Sequence, residues 1–134
     1  MRHPSSILIT GASSGLGRAL AVGYAAPGVS LHLTGRDTAR LAETADICRK
    51  KGAAVETAPA DVTDGAGMAA LVAAADARAP LDLIIANAGV SAGTGGGEET
   101  PEQARRIFAV NLDGVRNTVE PALHAMTPRG RGQV

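Results

Sequence analysis

A glycine-rich segment near the start of the chain has the residue types that bind a phosphate group. It reads Thr10-Gly11-Ala12-Ser13-Ser14-Gly15-Leu16-Gly17. A pyrophosphate needs backbone N–H groups at close range and the positive end of a helix dipole, and side chains at the contact would hold it away. The spacing differs from Gly-x-Gly-x-x-Gly, and the segment lacks the Gly-Lys-Ser/Thr ending of a P-loop. The segment therefore predicts a dinucleotide site.

The elements expected on either side of these glycines favour the phosphate interpretation. The short apolar run Ser6–Thr10 predicts a buried strand that ends at the glycines. Residues Leu16–Ala26 then predict a helix, which Pro27-Gly28 ends. A strand followed by a helix is the context in which backbone amides point at a pyrophosphate. An ordinary strand-to-helix turn with fortuitous glycines is the alternative.

The rest of the chain continues the alternation of strands and helices. Further strands are predicted over Val29–Thr34, Ala53–Ala58 and Leu81–Ala86. Further helices are predicted from a cap at Asp37 to Lys51 with Gly52 just beyond, from Thr63 or Asp64 to about Ala77, and from Thr100 and Pro101 to about Met126.

This order predicts an α/β fold, a Rossmann-like doubly wound parallel sheet with strand order 3-2-1-4. The cofactor crevice of such a sheet lies between strands one and four. The loop Asn87–Glu99, rich in Gly, Ser and Thr, follows the fourth strand and is typical of an active-site loop. Gln133-Val134 predicts the first step of another strand.

The residues after the second strand indicate which nicotinamide cofactor would bind. NAD sites usually place a carboxylate at this strand tip, whereas NADP sites replace it and add a cation for the 2′-phosphate. Here Gly35 occupies the tip, and Arg36, whose forked donors suit phosphate, follows it. Asp37 lies at the usual distance for a ribose acid but is predicted to cap the next helix. NADP(H) is therefore the expected cofactor, with NAD(H) as the alternative.

Further motifs follow in the order found in one enzyme family. They are Asp61 and Val62 after the third strand, Asn87-Ala88-Gly89 after the fourth, and Asn111 in the last predicted helix. Together with the glycine segment, they make the whole chain resemble the N-terminal portion of the short-chain dehydrogenase/reductase family. The resemblance implies that Asp61 lies near the adenine ring, that the Asn-Ala-Gly residues border the cofactor, and that Asn111 supports a proton relay.

These residues also have plainer structural interpretations. Asp61 could end a strand or cap a helix, a role compatible with touching adenine. Asn87 could serve turn chemistry alone, since Asn and Gly both favour turns. Asn111 could be a surface residue, whereas in the family its backbone kinks the helix and holds a water of the relay.

The candidate site has two groups of residues, and no metal site is predicted. Asn111 is the candidate catalytic support. The candidate cofactor-binding residues are Gly11, Ser13, Ser14, Gly15, Leu16, Gly17, Arg36, Asp61, Val62, Asn87, Ala88 and Gly89.

The resemblance also implies groups that these residues do not supply. In the family, hydride passes between nicotinamide and an alcohol or carbonyl carbon, with a tyrosine as acid/base, a lysine four residues later and a serine that orients the substrate. The only tyrosine, Tyr24, is followed four residues on by Gly28 and is predicted to pack in the core. The only lysines, Lys50 and Lys51, lie at a helix end, and Ser91 is not the catalytic serine by position.

The histidines offer no substitute, because His3, His32 and His124 share no spacing that would build a base or metal site. His32 is predicted to be a strand residue packed under a helix. Residues 1–134 are therefore expected to be an incomplete NAD(P)-binding Rossmann domain, inactive alone, from a parent of about 250 residues.

Composition narrows the partners. The formal net charge is zero, which argues against nucleic acid or a membrane surface as a partner. No apolar run approaches the length of about 20 residues that a membrane span needs. The single cysteine, Cys48, cannot form an internal disulfide, and a reducing, cytoplasmic setting is expected. The expected partners are a small alcohol or carbonyl substrate and, in the full-length protein, further copies of the chain in a homo-oligomer.

Other functions stay open. The chain could belong to a nucleotide-sensing or regulatory Rossmann module without catalysis. It could belong to another Rossmann enzyme such as a methyltransferase, although Arg36 and the Asn-Ala-Gly motif favour a nicotinamide site. It could also be a short protein completed by self-association through its fourth strand.

Overall fold

The computed structural model describes residues 3–93 and 97–134, which are organised around a parallel β-sheet. The strands are β1 Ser6–Thr10, β2 Ser30–Gly35, β3 Ala54–Pro59 and β4 Leu83–Ile85. They lie in the order β3-β2-β1-β4, and every pairing is parallel. The predicted Rossmann-like order is therefore confirmed. Part of the predicted loop Asn87–Glu99, residues 94–96, lies outside the described residues.

Helices follow each strand. They are α1 Gly15–Tyr24, α2 Thr38–Lys50, α3 Gly65–Arg78, α4 Pro101–Phe108 and α5 Gly114–Met126. A π-helical turn, Ala109–Asp113, joins α4 to α5, and a 3₁₀ turn, Thr127–Arg129, follows α5.

Strand β1, which lies between β2 and β4, is buried on both faces, as expected where helices cover both sides of a parallel sheet. Ile7 and Ile9 belong to a core cluster that includes residues of α1 and α2. Leu8 belongs to a second cluster, with Val72 of α3 and Ala122 of α5. Successive β1 residues thus anchor opposite helical layers, which fixes the carboxyl end of β1 between them.

The helix ends follow the predicted local chemistry. The side chains of Asp37 and Asp64 each accept a hydrogen bond of 3.0 Å from the backbone N–H group three residues on, and Thr100 forms a capping box. Asp64, not Thr63, therefore caps α3. Gly52 has the positive φ of +93° that favours glycine just after a helix, which confirms its predicted role.

The first helix is shorter than predicted. It ends at Tyr24 rather than Ala26, because Ala25 already has an extended backbone with ψ 116°. Ala26 precedes Pro27, and the residue before a proline is disfavoured in the helical region. Pro27 therefore disfavours a helical backbone at Ala26, so α1 ends before it reaches the proline.

The fourth strand is also shorter than predicted, spanning Leu83–Ile85 instead of Leu81–Ala86. The Leu81 backbone N–H donates to Asp76 Oδ1 at 2.9 Å, and the Leu81 side chain is fully buried in the cluster that contains α3. Leu81 is therefore apolar because it packs against α3, not because it extends the strand.

The chain reaches a fifth strand position beside β4. Gln133 pairs in parallel with Leu83, through its N–H to Asp82 O at 2.9 Å and its carbonyl from Ile84 N at 3.0 Å. The prediction that Gln133-Val134 begins another strand is confirmed. The outer edge of β4 is consequently paired at this point.

An ion pair between Arg129 and Asp76 fixes the 3₁₀ turn that precedes Gln133. Arg129 donates from Nη1 and Nη2 to the two Asp76 carboxylate oxygens at 2.8 and 2.7 Å, with side chains only 27% and 19% exposed. These hydrogen bonds are the main reason that the pKa of Asp76 lies below its ordinary value. The stabilisation is therefore present above the unfolded pKa of about 4 and is lost as pH falls through the lowered pKa.

We expect Arg129→Gln to lower the free energy of unfolding at pH 7 by about 1–3 kcal/mol, because it leaves a partly buried carboxylate without its charged partner. Arg78→Gln is the control. It breaks the Glu56 ion pair, whose side chains are 64% and 59% exposed, and should lose no more than about 0.5 kcal/mol. Urea unfolding checks both, at pH 7 and at the lowest pH where the protein still folds. Equal losses in the two variants, or an Arg129 effect that does not shrink in acid, would contradict the prediction.

Candidate dinucleotide-binding site

A cleft of about 450 Å³ lies at the carboxyl ends of the strands, beside the first turn of α1. This is the edge of a parallel sheet where ligands bind. Every predicted cofactor-binding residue except Gly17 lines it. The lining residues are Gly11, Ser13, Ser14, Gly15, Leu16, Thr34, Gly35, Arg36, Asp37, Arg40, Ala60, Asp61, Val62, Asn87, Ala88, Gly89, Val90 and Val110.

The first turn of α1 points unused hydrogen-bond donors into this cleft. Ser14 is the N-cap residue, with an extended backbone, yet among the described residues its hydroxyl makes no capping bond. No acidic residue stands in the first turn. The N–H groups at the start of a helix carry the positive end of its dipole, so this terminus is suited to an anion.

Two glycines allow the loop, α1 and the end of β4 to meet backbone to backbone. A Cβ on the buried Gly17 would meet the Gly11 carbonyl oxygen and lie 2.5 Å from Asn87 Nδ2. Gly11 has a φ of +67°, and a Cβ there would lie 2.9 Å from Ala88 Cα. Gly17 therefore serves the close packing of α1 and lies beneath the cleft, not in its lining.

Asn87 and Thr10 join the ends of β4 and β1. The backbone N–H groups of Asn87 and Ala88 both donate to Thr10 Oγ1 at 3.0 Å. Asn87 Nδ2 donates to the carbonyl oxygen of Thr10 at 3.1 Å and to that of Gly11 at 3.4 Å. The Asn87 side chain thus stabilises the sheet edge while the residue lines the cleft. Thr10 was absent from the predicted site. Its position at the end of β1, directly before Gly11, is the sequence feature that could have identified it.

Asp61 forms a turn rather than a helix cap. Its Oδ1 accepts from the backbone N–H of Thr63 at 2.9 Å and from the Thr63 hydroxyl at 2.8 Å. These two bonds are the main reason that the pKa of Asp61 lies below its ordinary value, with a smaller contribution from the nearby Arg36 charge. The neighbouring Val62 is buried against Met68 while it lines the cleft.

Arg36 and Asp37, the two residues after β2 that could bind the adenosine ribose or its phosphate, have different roles in the structure. Asp37 Oδ1 accepts from the Arg40 backbone N–H at 3.0 Å, so Asp37 is the cap of α2, as predicted. Arg36 lines the cleft and, within the described residues, forms no ion pair. Gly35 lies against the loop, because a Cβ there would be 3.1 Å from Ser13 Oγ. A larger side chain at position 35 would therefore crowd Ser13.

Asn111 lies in the π-helical turn and holds the chain that follows β4. Its Oδ1 accepts from the Val90 N–H and its Nδ2 donates to the Val90 carbonyl, both at 2.9 Å. The bonds span 21 positions in the sequence and are partly buried. The interpretation of Asn111 as a plain surface residue is therefore wrong, since its side-chain oxygen and nitrogen both bond Val90 in a partly buried setting. The turn also places an irregularity in the predicted last helix, as the family resemblance implied.

Neither Tyr24 nor His32 is among the residues that line the cleft. Tyr24 is partly buried and packs against the cluster of α1 and α2, away from the cleft. His32 is buried in β2, and burial lowers its pKa. Within residues 3–93 and 97–134, no three His, Cys, Asp or Glu side chains are grouped as metal ligands. In the same residues, no helix is both long and apolar enough to span a membrane.

Strand order 3-2-1-4, with a glycine loop leading into the first helix, defines a Rossmann-type α/β protein with an open cleft at the carboxyl ends of its strands. The family model described as "short chain dehydrogenase" matches residues 5–134. The chain therefore belongs to the short-chain dehydrogenase family, as its motifs predicted.

Relatives and solved structures agree with this assignment. The chain is 40% identical over 129 residues to an uncharacterized oxidoreductase of Myxococcus xanthus, covering 95% of this chain and 51% of that protein. It is 38% identical over 128 residues to 3-dehydrosphinganine reductase TSC10B of Arabidopsis thaliana, covering 94% and 38%. A short-chain dehydrogenase from Sphingobium yanoikuyae in complex with NADPH has a TM-score of 0.81 at 33% identity, covering 94% of this chain and 50% of that one.

A metagenomic short-chain oxidoreductase in complex with NADP has a TM-score of 0.85 at 28% identity, covering 96% of this chain and 59% of that chain. The chain thus spans about half the length, or less, of the relatives it matches.

The packing at Gly17 leads to a test with a control on the same helix. We expect Gly17→Ala to lower the free energy of unfolding by about 1–3 kcal/mol, since the new methyl group must displace backbone. Gly23→Ala, where a Cβ meets nothing within 4 Å, should be neutral or stabilising by up to about 1 kcal/mol. Chemical denaturation measures both. The packing argument fails if the two substitutions have the same effect.

Proposed function

We propose that this chain is the cofactor-binding part of an NADP(H)-dependent oxidoreductase that interconverts an alcohol and a carbonyl by hydride transfer. The observation that carries the proposal is the cleft itself, which joins the uncapped first turn of α1 to Arg36. Such a turn suits a pyrophosphate, and such an arginine suits a 2′-phosphate. Two similar solved structures, described as complexes with NADPH and with NADP, support the same cofactor.

The lining residues fit the parts of a dinucleotide. The amides around Ser14, Gly15 and Leu16 would hold the pyrophosphate, because they carry the free donors of α1. Arg36 and Ser13 would hold the 2′-phosphate, since both line the cleft and Ser13 lies against Gly35, the residue before Arg36.

The rest of the cleft would hold the two ring systems. Asp61 and Val62 would border the adenine, and Asn87, Ala88 and Gly89 would line the opposite side. When bound, the nicotinamide supplies or accepts the hydride.

Asn111 would act on the site through Val90. Its two hydrogen bonds fix the backbone of the segment after β4, which lines the cleft. Its side-chain oxygen and nitrogen each bond Val90, and its backbone is the group that the family resemblance implies for holding the relay water. We therefore propose Asn111 as a residue that positions the loop and supports the relay.

The acid/base chemistry is proposed to come from a longer parent protein. The sequence lacks a Tyr-x-x-x-Lys motif, and Tyr24 packs away from the cleft. Relatives such as the Myxococcus oxidoreductase are matched over only 51% of their length. We propose that residues 1–134 are an incomplete Rossmann domain, able to contribute to cofactor binding but inactive alone.

We propose a small alcohol or carbonyl compound as the substrate and other copies of the same protein as partners in a homo-oligomer. The proposed location is the cytoplasm. Apolar side chains on the outer side of α4 and α5 support self-association. Phe108 and Leu112 are 61% and 60% exposed, and Val115 follows them one turn later.

Replacing Arg36 tests the cofactor assignment. In the full-length protein, Arg36→Gln should weaken NADPH binding about tenfold or more and change NADH binding less than about twofold, since only the phosphate loses its charged partner. Arg116→Gln, an exposed arginine of α5 outside the cleft, is the matched control and should change neither. Calorimetric titration with each dinucleotide gives the measurement.

Each outcome of that titration is informative. Wild-type protein that binds neither dinucleotide would overturn the proposed function, and tighter binding of NADH than of NADPH would overturn the cofactor choice. Binding of NADPH without turnover of any alcohol or carbonyl, by a parent that lacks Tyr-x-x-x-Lys, would favour the regulatory module instead.

A further inference from the structure

The cleft contains a carboxylate beside the place proposed for the 2′-phosphate. Asp37 lines the cleft next to Arg36. A carboxylate here would repel a phosphate and could accept a hydrogen bond from a free ribose 2′-hydroxyl, which is how NAD sites select their cofactor. Asp37 therefore opposes the binding of NADP(H) unless something else occupies it.

One residue engages both oxygens of that carboxylate. Asp37 Oδ1 accepts from the Arg40 backbone N–H at 3.0 Å, and Oδ2 lies 3.7 Å from Arg40 Nε. Arg40 itself lines the cleft. The bond from the Arg40 backbone N–H caps α2. The contact with the Arg40 guanidinium neutralises the Asp37 carboxylate and is not part of the cap.

The charge balance of the cleft depends on this contact. Within the described residues, the charged residues that line it are two arginines, Arg36 and Arg40, and two aspartates, Asp37 and Asp61. Their formal charges cancel, which leaves Arg36 free to meet a phosphate. Without Arg40 the lining would carry a net negative charge, and a phosphate in the cleft would be repelled.

We infer that Arg40 sets the preference for NADP(H) by holding and neutralising the Asp37 carboxylate, so that the helix cap cannot serve as a ribose ligand. The inference rests on the proposed function, because it concerns the same cleft. Arg40 acts as a positioning residue through Asp37. The side chains of Asp37 and Arg40 are 51% and 63% exposed, so solvent screens the effect and limits its size.

The test compares the full-length wild-type protein with Arg40→Gln, Asp37→Asn and the double variant. NADPH and NADH are titrated separately by calorimetry, and the ratio of their dissociation constants is the readout. Arg40→Gln should shift this ratio toward NADH by about threefold to tenfold, by weakening NADPH and strengthening NADH. Adding Asp37→Asn should return the ratio to within about twofold of the Asp37→Asn value, since asparagine caps a helix without a charge.

A matched control separates this effect from the loss of any arginine. Arg105 pairs with Glu102 at the same i,i+3 spacing near the start of α4, at 3.3 Å, and lies outside the cleft lining. Arg105→Gln should leave the ratio unchanged. Thermal unfolding of each variant checks that the cap of α2 is intact.

The outcomes distinguish the inference from the proposed function. An unchanged ratio in Arg40→Gln overturns the inference. A double variant that stays as shifted as Arg40→Gln also overturns it, because Arg40 would then bind the phosphate directly. If the wild-type protein binds neither dinucleotide, the proposed function fails first.

Discussion

Three backbone segments meet where β1 ends: the glycine loop, the first turn of α1 and the residues that follow β4. Gly17 permits the contact because a Cβ there would meet the Gly11 carbonyl oxygen. Asn87 then bridges the gap by donating from its side-chain amide to the carbonyls of Thr10 and Gly11, while Thr10 Oγ1 accepts from the backbone N–H groups of Asn87 and Ala88. Because these bonds use the carbonyls of Thr10 and Gly11 and not the amides at the start of α1, the packing that closes the fold leaves those amides for the proposed pyrophosphate site. The cleft is therefore a consequence of how the first helix is seated.

The charged end of the cleft follows from a second local need, the capping of α2. Asp37 supplies the cap, and its charge would disfavour a phosphate beside Arg36. A contact with Arg40 from the first turn of the same helix reconciles the two requirements. The first turn of α2 thus links the capping of the helix by Asp37 to the choice of cofactor. Asp37 lies at the sequence distance typical of an NAD ligand, but its pairing with Arg40 keeps it from that role.

Features set by neighbouring residues could be predicted from the sequence, and features set by distant contacts could not. The caps at Asp37 and Asp64 follow from side-chain chemistry with the next turn, and the strand order follows from the alternation of elements. The start of β4 at Leu83 depends on Asp76, which accepts the hydrogen bond of the Leu81 N–H group. The partner of Asn111 is 21 residues away, and the role of Thr10 appears only once β4 lies beside β1. No local pattern contains those contacts, so the motif order indicated Asn111 but neither its partner nor the role of Thr10.

Hydrogen–deuterium exchange of the full-length protein, with and without NADPH, tests whether the cleft binds the dinucleotide. If the cleft is the dinucleotide site, NADPH should slow exchange in peptides that cover residues 11–17 and 87–90. Peptides from the second half of α3, residues 71–78, should be unaffected, because Val72 and Ala75 pack in the core on the other face of β1. Unchanged exchange at the glycine loop in saturating NADPH, or protection confined to segments outside the cleft, would contradict the claim that these residues hold the cofactor.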